Sequence, residues 1–164
     1  MNLFDFHCDT IGECCNNNKR LFANDLHIDL ERAGKAYEKY CQTFAIWIPD
    51  EKRGDEAFGY FKKVYSCFLS ELSATAEIVS LCQSGETIKN TLNSGKAAAL
   101  LSVEGGGVLG GDISKIQVLR DMGVRMLTLT WNGADELGDG CMCENPGGLT
   151  AFGKQCIPTL EKSG

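Results

Sequence analysis

No apolar run in this 164-residue chain is long enough to span a bilayer, which removes the helical membrane proteins from consideration. No basic cluster interleaved with aromatics occurs and the net charge is -6, so the positive surface that nucleic acid or an anionic membrane would need is missing. The sequence runs from Met1 straight into a strand-like stretch, so a secretory leader is not expected. The nine cysteines are odd in number and irregularly spaced, and so read as free thiols of a reducing cytoplasm rather than a disulfide framework. Cys141-x-Cys143 lacks a second Cys or His pair nearby and reads as two incidental thiols. Gly105-Gly106-Gly107 is not followed by Gly-Lys-Ser/Thr, which argues against a phosphate-cradling loop. No repeat, linker or low-complexity tract divides the chain. What remains is an ordinary globular composition, 43% hydrophobic and 23% charged, with material for a single domain over residues 1–164.

The pattern that is present alternates strands with helices. A first strand is expected near residues 2–8, followed by a polar loop from Glu13 to Lys19. Thr43 to Ile48 is short, rich in β-formers and stopped by Pro49. From Asp55 to about Leu81, Phe58, Phe61, Tyr65, Phe68 and Leu72 recur at steps of three and four, a helix whose aromatic stripe is core packing. Ser84 is placed to cap a short helix ending at Gly95. A third strand spans Ala97 to Val103, and Asp112 caps a helix carrying Ile113, Ile116, Leu119 and Met122. The fourth strand runs from Val124 to Thr130 into Trp131-Asn132-Gly133, and a last helix covers about Leu149 to Lys162. Four strands separated by helices predict parallel pairing through right-handed crossovers, with ligands gathering at the carboxyl ends of the strands.

Three chemically capable side chains sit at those ends. In Leu3-Phe4-Asp5-Phe6-His7-Cys8-Asp9 the odd positions share one face and become polar toward the strand's end, while Phe4, Phe6 and Cys8 form a face for burial under helices. His7 and Asp9 therefore converge, and an imidazole beside a carboxylate suits a divalent metal of the zinc type. The plain alternative is a satisfied His-Asp pair. Glu104, delivered by another strand, supplies the third ligand that two near neighbours cannot; its plain alternative is a capping or loop-ordering carboxylate. The glycines at 105–107 let the backbone turn tightly beside a metal or substrate. His27, the other histidine, reads as loop or helix-start packing.

The stretches LFDFHCDT, HIDLERAG, QTFAIWIP, GKAAALLSVEGG, IQVLRDMGVRMLTLTWNG and GLTAFGK occur in this order and cover most of the chain. Together they resemble the N-terminal half of the membrane (renal-type) dipeptidase family of metallopeptidases, in one of its cytoplasmic bacterial forms. The resemblance implies the first half, about four strands, of a TIM-type (β/α)8 barrel. It also implies a two-zinc site that hydrolyses dipeptides, often with a D-residue in second position, through a metal-bridging hydroxide. Carried over by motif, His7 and Asp9 would ligate one zinc, and Glu104 would bridge both and act catalytically. Where vertebrate members have a substrate-contacting histidine after the Leu-Thr-Leu-Thr strand, this chain has Trp131, with Asn132 as a replacement contact. Trp131 offers one donor and no titrating proton.

The family's second-zinc histidines and proton-handling aspartate lie on later strands than those present, so the resemblance implies an incomplete barrel holding at most one metal and inactive alone. Such a sheet would bare its edges and inner face, with Ala98, Leu100 and Ser102 as lining, and would tend to self-associate. Two further readings remain: another amidohydrolase-like metal-dependent hydrolase, and a non-catalytic fragment. Those barrel relatives commonly begin with His-x-His, whereas His7-Cys8-Asp9 favours the dipeptidase branch.

Overall fold

A computed structural model describes all residues, Met1–Gly164. Five strands and six helices alternate: β1 (Asn2–Cys8), α1 (Thr10–Asn17), α2 (Leu30–Ala36), β2 (Lys39–Trp47), α3 (Gly54–Ala74), β3 (Val79–Leu81), α4 (Gly85–Asn93), β4 (Ala97–Glu104), α5 (Lys115–Asp121), β5 (Val124–Thr128) and α6 (Ala151–Ser163). A 3-10 turn, Gly106–Leu109, links β4 to α5. The strands form one sheet in the order β1-β2-β4-β3, with β5 also on β4, and the registered pairs β1–β2 and β3–β4 are parallel. No helix is long and apolar enough to cross a membrane. All nine cysteines are free thiols.

Several elements differ from the sequence expectation. The polar loop expected at Glu13–Lys19 is largely helix, because Ile11 and Cys14, three apart, bury one face of α1 and Asn18 closes it in the left-handed conformation. The helix α2 begins where Asp29 accepts the Arg32 backbone N–H as a side-chain cap. The long helix stops at Ala74, and Val79–Leu81 pairs with Ala97–Ala99 as a fifth strand. Ser84 and Thr87 form the expected cap as a full capping box. Asp112 instead bonds Ser114, ahead of a helix that starts at Lys115.

The chain separates into two compact units. The first holds Met1–Ile46 and Val64–Leu101, the second Trp47–Lys63 and Ser102–Gly164. In the first unit Phe44 of β2 meets Phe68 of α3 with ring centroids 5.6 Å apart. Each such fully buried side chain contributes about 1.5–3 kcal/mol. Glu71 of α3, 7% exposed, accepts the Leu21 N–H at 2.7 Å and pairs with Arg20 Nε at 2.8 Å, pinning the α1–α2 connection. Ala98 and Leu100, expected to be bared, are covered instead by Cys41, Cys82, Ile88 and Leu92, because α4 lies on them; Ser102 is buried too. The bared aromatics are Phe4 and Phe6 of β1, 43% and 61% exposed and stacked at 4.4 Å, where burial under helices was expected.

The reason is a register shift. Phe4 pairs with Cys41 but Cys8 pairs with Phe44, so β1 carries one extra residue between Asp5 and Cys8. Cys41 and Phe44 point to opposite faces of β2, and so Phe4 and Cys8 do not share the face that simple alternation gives them. In the second unit, α5 packs on α6 and β5, and Ile116, Leu119, Val124 and Cys156 are buried.

Candidate metal centre

The irregularity in β1 positions the first two side chains. The His7 backbone N–H donates to Asp5 Oδ1 at 3.2 Å within the shifted stretch. Beyond the shift, Cys8 is buried at 8% exposure, while the His7 and Asp9 side chains on either side of it reach solvent. Asp9 occupies the N-cap position of α1, where an aspartate commonly accepts a backbone N–H of the first turn, yet its side chain makes no such bond. Its Oδ1 instead lies 3.4 Å from His7 Nε2, with both side chains about half exposed.

Glu104 is the last residue of β4. Its carbonyl accepts the Ile48 N–H at 2.8 Å at the end of β2, and the next two N–H groups, of Gly105 and Gly106, donate to Thr128 and Leu129 at the end of β5. Gly105 has φ +115, and a Cβ on Gly106 would collide with the Leu129 carbonyl and lie 2.8 Å from Leu137 Cδ2. Crowding by neighbouring strands, rather than approach to a ligand, accounts for glycine at these two positions.

His7, Asp9 and Glu104 each offer one ligand atom, and those atoms all lie within 4.8 Å of one another. One imidazole nitrogen with two carboxylates is a donor set suited to a zinc-type divalent cation. Two carboxylates this close repel, and a cation between them removes that cost. The residues present therefore fit a metal.

Trp131 and Asn132 lie in the loop after β5. Trp131 is 37% exposed and meets Trp47, the last residue of β2, edge-to-face with centroids 5.0 Å apart. Trp47 closes β2 and Trp131 follows β5, and both of those strands pair with β4. Trp47 Nε1 is buried without a hydrogen-bond partner. Sequence reasoning missed Trp47; the signal that could have found it was an indole closing a β-rich run just before Pro49. Asn132 Oδ1 accepts from Cys141 Sγ at 3.3 Å. His27 is exposed and lines a hollow of about 290 Å³ with His7, Asp9 and Glu13.

The chain belongs to the membrane dipeptidase family, peptidase family M19, whose family model matches residues 1–164. Solved structures show the fold: this half-sheet is part of the TIM-type barrel of such dipeptidases. One, described as the dipeptidase AC, a metallopeptidase of family M19, superposes with a TM-score of 0.87 at 18% identity, over 99% of this chain and 54% of that one. A metallopeptidase from Rhodobacter sphaeroides, liganded with a phosphinate mimic of the dipeptide L-Ala-D-Ala, gives 0.87 at 16% identity, over 99% of this chain and 56% of its own. An amidohydrolase from Pseudomonas aeruginosa gives 0.69 at 18% identity, over 98% of this chain and 42% of its own. The chain thus spans about half the length of the dipeptidase structures it matches.

Proposed function

We propose that this chain carries the metal-binding part of a dipeptide hydrolase, with His7, Asp9 and Glu104 holding a zinc ion. The observation that carries the reading is the meeting of their three ligand atoms within 4.8 Å. When bound, such a cation polarises a scissile carbonyl and acidifies water.

The chain's own residues do the positioning. Asp5 fixes the His7 backbone, and Asp9, released from capping, holds the imidazole from the side. Glu104 would help hold this ion and, were the site to take two, the second cation as well. Trp131, braced by Trp47, walls off water and packs on a substrate side chain, while the Asn132 amide donates to a substrate carbonyl. Dipeptides with a D-residue in second position fit this reading, since the Rhodobacter sphaeroides relative holds a mimic of L-Ala-D-Ala. With three ligands in this chain, we expect one zinc per chain and little turnover by the chain alone.

The test is zinc stoichiometry by elemental analysis, alongside hydrolysis of L-Ala-D-Ala followed by mass spectrometry. One zinc per chain, lost in His7→Ala and Glu104→Gln, is the expected result. Undiminished zinc in both variants would overturn the assignment, and rapid turnover by the chain alone would overturn the expectation of little activity.

A further inference from the structure

We infer that Asp50 and Arg53, in the connection between β2 and α3, are positioning residues that clasp the segment 131–134 and thereby set Trp131 and Asn132 for substrate. The inference rests on the reading above only in treating Trp131 and Asn132 as substrate contacts. The clasp itself is geometric. Asp50 Oδ2 accepts the Gly133 backbone N–H at 2.9 Å, across 83 positions of sequence. The Arg53 guanidinium donates to the Ala134 carbonyl at 2.6 Å and, from its other amino group, to the Lys52 carbonyl at 2.7 Å. Arg53 and Asp50 approach each other to 4.0 Å, so the two hold neighbouring residues of one stretch of chain, one by accepting and one by donating.

The approach is close enough to dictate sequence. A Cβ on Gly133 would sit 3.1 Å from the Asp50 carboxyl carbon, so the contact is made against bare backbone. The Gly133 carbonyl meanwhile accepts the Gly140 N–H at 3.1 Å, and the Trp131 carbonyl accepts the Cys141 N–H at 3.3 Å. The segment bearing Trp131 and Asn132 is thus gripped from two sides, by the returning arm of its own loop and by Asp50–Arg53. Trp47, three residues before Asp50, sets the indole edge-to-face contact from that same β2 end. Asp50 lies just ahead of α3 yet accepts from a loop 83 positions away, and its charge makes that hydrogen bond one of the stronger kind.

Only two tryptophans occur in the chain, both in this cluster, so in a Trp47→Phe background Trp131 reports alone. The experiment measures acrylamide quenching of Trp131 in that background with Asp50→Ala and Asp50→Asn added. Zinc stoichiometry of the same variants and the KM and kcat for L-Ala-D-Ala accompany it. Asp50→Ala should raise the Trp131 quenching constant about twofold or more. Asp50→Asn, whose amide oxygen still accepts from Gly133, should restore it, with zinc content unchanged in both. Wherever turnover is measurable, Asp50→Ala should raise KM about tenfold, the order expected for one charge-assisted hydrogen bond at about 1.4 kcal/mol per decade, and leave kcat within about twofold. Quenching in Asp50→Ala equal to that of the parent, or Asp50→Asn as damaging as Asp50→Ala, overturns the clasp. Absence of zinc binding or hydrolysis in the parent counts against the proposed function instead, and the quenching comparison still decides the clasp.

Discussion

Removing one negative charge from the His7–Asp9–Glu104 cluster should stabilise the metal-free chain and, if the proposed site is right, abolish its response to zinc. The ligand oxygens of Asp9 and Glu104 lie within 4.8 Å. Two unit charges at that separation repel by about 0.9 kcal/mol at the permittivity of water and about 3.5 kcal/mol at an effective value of 20. The Asp9 side chain is 55% exposed, so the lower figure is the better guide, at about 1 kcal/mol. Asp9→Asn or Glu104→Gln removes that repulsion, and for a chain of this size about 1 kcal/mol moves Tm up by roughly 2–4 °C. Zinc at a hundred times its Kd should add about 2.7 kcal/mol to the parent, roughly 5–10 °C, and almost nothing to either variant. The assay is thermal unfolding followed by circular dichroism, with a reductant present throughout and either chelator or zinc added. Both variants melting below the parent in chelator would refute the like-charge argument. A full zinc shift surviving in Glu104→Gln would refute its role as a ligand.

Other perturbations test the scaffold. Glu71→Ala should cost about 2–3 kcal/mol by thermal unfolding, because it strands the buried Leu21 N–H, whereas Arg20→Ala, at a 65% exposed side chain, should cost under about 1 kcal/mol. Gly106→Ala should cost about 3 kcal/mol or more, or yield insoluble protein, because its Cβ meets Leu129 backbone and Leu137. Burial pushes the Cys8 thiol up to about 11 and those of Cys14 and Cys41 up to about 12, from an ordinary 9.0. Between 9.0 and those values the unfolded chain releases protons that the native one keeps, so stability should fall as pH rises through this window, read by denaturant titration at stepped pH. At about pH 8 Cys141, which is exposed, should react with a thiol reagent well before these buried three.

The alternation of strands and helices was legible because it rests on periodicity, and periodicity survives in one sequence. Ser84 could be read as a cap because its partner Thr87 sits three residues on, a local relation. The strand β3 could not, since Val79–Leu81 is three residues long and takes its conformation from pairing with Ala97–Ala99. For the same reason Ala98 and Leu100 were wrongly expected to be bared: their cover, Ile88 and Leu92, comes from a helix whose destination no local pattern states. His7, Asp9 and Glu104 were legible as a set because strand ends converge in parallel sheets. Asp50 and Arg53 were not, because what they hold is backbone about eighty residues away, and backbone leaves no trace in composition.

Two local rules fail together at the start of the chain. Simple alternation in β1 would place His7 on the face of Leu3 and Asp5, which pair beside Tyr40 and Gln42; the extra residue between Asp5 and Cys8 breaks that alternation where His7 sits. Ordinary capping would commit the Asp9 carboxylate to the first turn of α1; here it is withheld. Either departure costs stability, the first by unpairing a stretch of ladder and the second by roughly the 1 kcal/mol of a good cap. The Asp5 carboxylate offsets part of the first by taking up the His7 N–H. Both departures fall beside the two side chains whose ligand atoms meet that of Glu104. Asp5→Ala therefore separates the two explanations. If the bulge serves the cluster, zinc affinity should fall about tenfold in a variant that keeps all three ligands; if it serves only the fold, Tm should fall and zinc affinity should hold.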